Sequence, residues 1–177
     1  MNLIAHPGFP PDAVSAVAFD WDPPDERRSG SRTARFTVSG IARLVIPPAR
    51  APQRADDLWK TTCFELFFRQ SGGAYFELNF SPSGEWAAYA FDSYRAGMRD
   101  QAMAAPKVTC ETAGDRLVLR VALDTSSLPA AGECNVSAVI EELGGRKSYW
   151  AIAHPPGKPD FHDPACFVPE LPAPPAP

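Results

Sequence analysis

Two carboxylates and one amide are the residues of this sequence best placed to do chemistry: Glu65, Glu77 and Asn79. They lie in TTCFELFF (61–68) and AYFELNF (74–80), two runs with the two-residue alternation of β-strands. Joined across RQSGG, the runs read as a hairpin. Phe64, Leu66 and Phe68 point one way, as do Phe76, Leu78 and Phe80, and matching these apolar faces fixes the register parity. Glu65, Glu77 and Asn79 then share the opposite face with Phe67 and Tyr75. Depending on the turn, Glu65 stands directly across from Glu77 or from Asn79, about 5 Å away, with the diagonal neighbour at about 7–8 Å.

Such a group offers two chemistries. Carboxylates and amides satisfy the hydroxyls of a polyhydroxylated ligand, while an aromatic ring covers the apolar side of a sugar. A simple four-residue turn at SPSG sets Trp86 beside Asn79 and the small Ala88 and Ala90 beside Glu77 and Tyr75, which makes a hollow with an aromatic wall. A bulge there instead turns Trp86 into the core. The second chemistry is glycoside cleavage by Glu65 and Glu77, retaining if the acids are directly opposed and inverting if diagonal. An open sheet face lacks the deep cleft that this needs, so a non-catalytic binding role is expected. The plain alternative is a hydrated outer sheet face, against which stand its several aromatics.

The elements that must position these residues are mostly strands. Further candidates are 13–22, 33–40, 41–48, 85–91, 107–112, 116–123, 134–143 and 146–153, punctuated by RSGS, SPSG, AGD, PAAG and GG turns. A short helical turn is expected within 92–103. About ten strands at this spacing indicate an all-β chain, an antiparallel β-sandwich or jelly roll. One domain is expected over 1–170, followed by the Pro-rich tail LPAPPAP (171–177).

Hydrophobic residues make up 45% of the chain, enough for a core, and the 20 prolines suit stiff loops between strands. The net charge of −4 with no basic stripe gives nucleic acid no footing. No apolar run is long enough to span a bilayer, and MNLIAHPGFPPD lacks the basic and apolar regions of a signal peptide, so a cytoplasmic protein is expected. Cys63, Cys110, Cys134 and Cys166 have no metal spacing and are expected to be reduced. The nucleophile-elbow, zinc-protease, P-loop and dinucleotide motifs are all missing from the sequence.

Taken together, LWKTTCFELFF, YFELNFSPSGEW and WAIAHPPGKPDFHDPACF resemble the DOMON-like superfamily, in particular its branch similar to family 9 carbohydrate-binding modules. The resemblance spans roughly 15–170. It rests on Trp59 six residues before Glu65, on Phe76 with Asn79 ahead of a Pro-Ser-Gly turn, and on Pro159-Asp160-Phe161-His162. It implies an antiparallel jelly-roll β-sandwich of two roughly five-stranded sheets whose sugar is held between two rings, with Trp59 as one and Trp150 as the other, above Glu65 and Asn79. Glu77 departs from the pattern, since it stands where sugar-binding members carry a basic residue. The expected ligand is a small molecule or oligosaccharide; a docked protein partner is the remaining alternative.

No cofactor is expected. Haem-binding branches use Met and His, but Met98, Met103, His154 and His162 lack axial spacing. Asp160, His162 and Asp163 could frame a metal, although a Pro-rich loop whose His162 packs on the sheet is the simpler reading. Calcium at Asp22, Asp25 and Glu26 has suitable oxygen ligands but no defining spacing.

Overall fold

Side chains that alternate apolar and polar form two antiparallel sheets, seen in a computed structural model that describes residues 1–22, 31–124 and 132–169. The strands are β1 (Ile4–Ala5), β2 (Ala16–Trp21), β3 (Ser31–Ser39), β4 (Cys63–Arg69), β5 (Tyr75–Phe80), β6 (Trp86–Phe91), β7 (Arg99–Asp100), β8 (Lys107–Ala113), β9 (Arg116–Asp124), β10 (Glu133–Glu142) and β11 (Arg146–Ala151). Seven of them form one sheet in the order β1-β11-β10-β4-β5-β6-β7, and four form the other in the order β2-β3-β9-β8. The expected jelly roll of two five-stranded sheets is therefore corrected. After crossing to the larger sheet the chain stays there from β4 to β7 as a meander, because short turns join strands that are already neighbours.

Two further expectations change. Residues 41–48 are not a strand; Ile41–Arg43 make a 3-10 turn entered through Gly40, whose φ of 83° favours glycine. The helical turn expected in 92–103 is absent, and the chain there makes a tight Ser93–Ala96 bridge before β7. Asp25, Glu26 and the tail 171–177 lie outside the described residues.

The core lies between the sheets. Val17, Phe19, Phe36, Val38, Leu117, Leu119 and Val121 of the small sheet share one apolar cluster with Phe64, Leu66, Leu78, Phe80, Val136 and Ile140 of the large one. Phe36 meets Phe64 across the gap, with ring centres 5.0 Å apart. A buried polar tie closes one end: Glu142 accepts hydrogen bonds from the backbone N–H groups of Asp12 (2.6 Å), Ala13 (2.6 Å) and Val14 (3.0 Å).

The other face of the large sheet is also covered. Phe67, Tyr75, Tyr89, Phe91 and Val139 form a second cluster there with Leu58, Phe161, Cys166 and Phe167. Residues 160–168 lie on that face, held by the Asn135 side-chain amide donating to Phe161 O (3.0 Å) and by the paired Cys134–Val168 backbone bonds (2.7 and 2.8 Å). The site is thus a covered space and not the open concave face expected from alternation.

Candidate functional site

Strand register assembles the polar group. Glu65 pairs with Asn79 and Phe67 pairs with Glu77, which makes the two glutamates diagonal neighbours on one face. Between Phe80 and Trp86 the turn has five residues, Ser81 to Glu85, closed by the Ser81 N–H donating to Glu85 O (3.0 Å). The fifth residue reverses the parity of β6. Ala87, Tyr89 and Phe91 therefore stand beside Asn79, Glu77 and Tyr75, and Trp86 faces the inter-sheet core. Trp86 as the edge of the site is thereby corrected. Trp150 is also corrected: it pairs with the core residue Ala138 and is buried between the sheets, while Tyr149, paired with Val139, faces the site.

A cavity of about 350 Å³ remains between the sheet and its cover. Glu65 and Glu77 reach it from the sheet, Trp59 and Tyr149 from the sides, and Phe91, Phe161, His162 and Arg95 complete much of the lining. Asn79, fully buried, lies beneath and not in the wall, donating through Nδ2 to Glu77 Oε1 (2.8 Å). The Ser137 hydroxyl donates to Glu65 Oε2 (2.8 Å). Trp59, on the 3-10 turn Leu58–Lys60, is half-buried and meets Tyr89 edge-on, with centroids 6.1 Å apart.

The electrostatics follow from burial. Glu65 is 3% and Glu77 6% exposed. Desolvation, and then repulsion from Glu77, push the Glu65 carboxyl up to about 8. Desolvation also raises Glu77, opposed by the Asn79 hydrogen bond and by Arg95. Burial and then Arg95 hold His162 down at about 4, so the ring is neutral at physiological pH. Tyr75 OH lies 2.8 Å from His162 Nδ1 and accepts from the Arg95 N–H (3.2 Å). The other ring nitrogen of His162, Nε2, lies 3.7 Å from Glu77 Oε2. Arg95 is tied to Asp160 (2.7 Å), which also accepts from Tyr94 OH and from the His162 N–H (3.1 Å).

His162 thus packs against the sheet, its ring 5.3 Å from both Phe67 and Phe91. No group of three or more metal-ligating side chains occurs among the described residues. No described helix is long and apolar enough to cross a membrane. Tyr149 and Arg95 were not picked out by sequence, whereas Tyr75 was placed on this face by alternation. Tyr149 was accessible from parity alone, since it is out of phase with Trp150 on a strand whose apolar face had to meet the core.

No family model matches the sequence, and no curated protein matches it. Among solved structures the fold is similar to that of a "putative carbohydrate-binding protein" from Bacteroides uniformis ATCC 8492, with a TM-score of 0.57 and 14% identity. The match covers 86% of this chain and 76% of that one. At that identity it is the all-β fold that is shared.

Proposed function

We propose that the protein is a non-catalytic binding module whose cavity takes a carbohydrate or sugar derivative. The observation that carries this reading is the cavity itself: two buried carboxylates at its floor, with Trp59 and Tyr149 as its aromatic sides. At about 350 Å³ it is within the usual size of small-ligand sites. Carboxyl groups orient hydroxyls, and the rings take the C–H faces of a pyranose. The fold shared with a protein named for carbohydrate binding supports the reading, as does the resemblance to the branch similar to family 9 carbohydrate-binding modules. In this reading Trp59 and Tyr149 are the paired rings, and Asn79 acts through Glu77.

Trp59→Ala tests it. The side chain is half-buried on a turn outside the inter-sheet core, so the variant is expected to fold with near-native circular dichroism. Its affinity for any sugar that the native protein binds in calorimetry should fall at least about tenfold, the loss of one stacking contact in a desolvated site. Unchanged affinity would remove the site.

One observation favours a second reading, a glycoside-acting enzyme. Glu65 keeps its proton near neutral pH, as a general acid must, and Glu77 stands diagonal to it. Diagonal strand positions are about 7–8 Å apart along the sheet, which leaves the side chains free to reach the carboxyl separation of an inverting enzyme. Fluorogenic glycosides decide between the two: turnover by the native protein that disappears in Glu65→Gln establishes the enzyme, and an inactive native protein leaves the binding module.

A further inference from the structure

Among the described residues no cation touches the two acids that face the cavity, and this points to the ligand. Glu65 and Glu77 face the space from the sheet. From the cover come Arg95, already ion-paired with Asp160 (2.7 Å), and His162, neutral through burial. From the side, Lys60 is paired with Asp57 (2.6 Å), and Asp56 accepts from Tyr89 OH (2.6 Å). Among the described residues no Lys or Arg nitrogen comes within 4.0 Å of either glutamate, and the one basic group that close is the His162 ring, 3.7 Å from Glu77. Each carboxylate has one internal hydrogen bond, on Glu65 Oε2 and Glu77 Oε1. Glu65 Oε1 and Glu77 Oε2 make none among the described residues, although both residues are more than nine-tenths buried and line the cavity.

We infer that the ligand carries an ammonium group, seated between Glu65 Oε1 and Glu77 Oε2 within the aromatic walls. This rests on the reading of the cavity as the sugar site and narrows that sugar to an amino sugar. A neutral polyol can hydrogen-bond the acids but does nothing to hold the pair ionised, whereas an ammonium offers three donors and a positive charge beside which Glu65 can give up its proton next to Glu77. Trp59, Tyr149 and Phe91 add faces or edges of aromatic rings around a cation, the surroundings in which cation–π attraction acts. An anionic sugar is disfavoured by the same acid pair.

Calorimetry near neutral pH with glucosamine, glucose, N-acetylglucosamine and choline tests the inference. Glucosamine is expected to bind at least about tenfold tighter than glucose or N-acetylglucosamine, and Glu77→Gln should bring that ratio close to one. Glucose binding as tightly as glucosamine to the native protein would overturn the ammonium seat while leaving a sugar site. Choline, whose quaternary nitrogen has no N–H, binding where no sugar does would keep a cation site in the aromatic walls but overturn the hydrogen-bonded seat and the carbohydrate reading. Binding of none of the four would remove both. The ratio in the native protein decides these cases without any variant. A folded Glu77→Gln that keeps the full preference would overturn the assignment to these two acids.

Discussion

Glu65→Gln should stabilise the protein increasingly from about pH 4.5 to pH 8 and leave it unchanged near pH 4. The sign follows from the proton. Below the ordinary carboxyl value of 4.5 the group is protonated in both folded and unfolded chains. Above that value the unfolded chain ionises while the folded chain keeps its proton up to about pH 8, so native stability falls across this window. The slope from one such group is at most about 1.4 kcal/mol per pH unit. Gln keeps the shape and the Ser137 hydrogen bond without the titration, and it removes the repulsion that Glu77 feels. The variant should therefore gain a few kcal/mol over the native protein by pH 8, with the difference vanishing near pH 4. Urea midpoints at acid, neutral and alkaline pH measure this, and parallel curves for the two proteins would show that Glu65 ionises freely. A gain would mark the acid pair as kept at a cost to stability, which is how binding sites commonly differ from cores.

Glu142→Ala is expected to do the opposite, with a loss of about 3–5 kcal/mol. The carboxylate is fully buried and takes three backbone donors from Asp12, Ala13 and Val14, more than 120 residues away in sequence. Removing it leaves those N–H groups without their acceptor and frees the segment that closes the end of the core. The melting temperature should fall by on the order of 10 °C for a chain of this size. Glu142→Gln, which retains one acceptor oxygen, should fall between the two. A drop of only a degree or two in Glu142→Ala would mean that water replaces the carboxylate.

The two predictions concern glutamates that alternation treats very differently. Glu65 was legible: its phase against Phe64 and Leu66 put it on the face away from the core, beside Glu77 and Asn79, and the strand register has it there. Glu142 was not, because it lies in phase with the core residues Val136, Ala138 and Ile140, and its partners come from the far end of the chain. Trp86 and Trp150 show the limit most plainly. Both strands were found, but one extra turn residue before Trp86 reversed its side, and Trp150 was placed by its family position instead of its parity.

Local alternation and turn chemistry were enough to define the strands, the hairpin of β4 and β5, and the shared face of Glu65, Glu77 and Asn79. These are contacts between neighbours in the chain, written in side-chain period. The cavity belongs to another class of information. It exists because residues 160–168 and 94–98 lie over the face that alternation marks as outer. Non-local packing drove the water from those acids, and with it set their protonation, so the character of the site follows from which distant segment covers it.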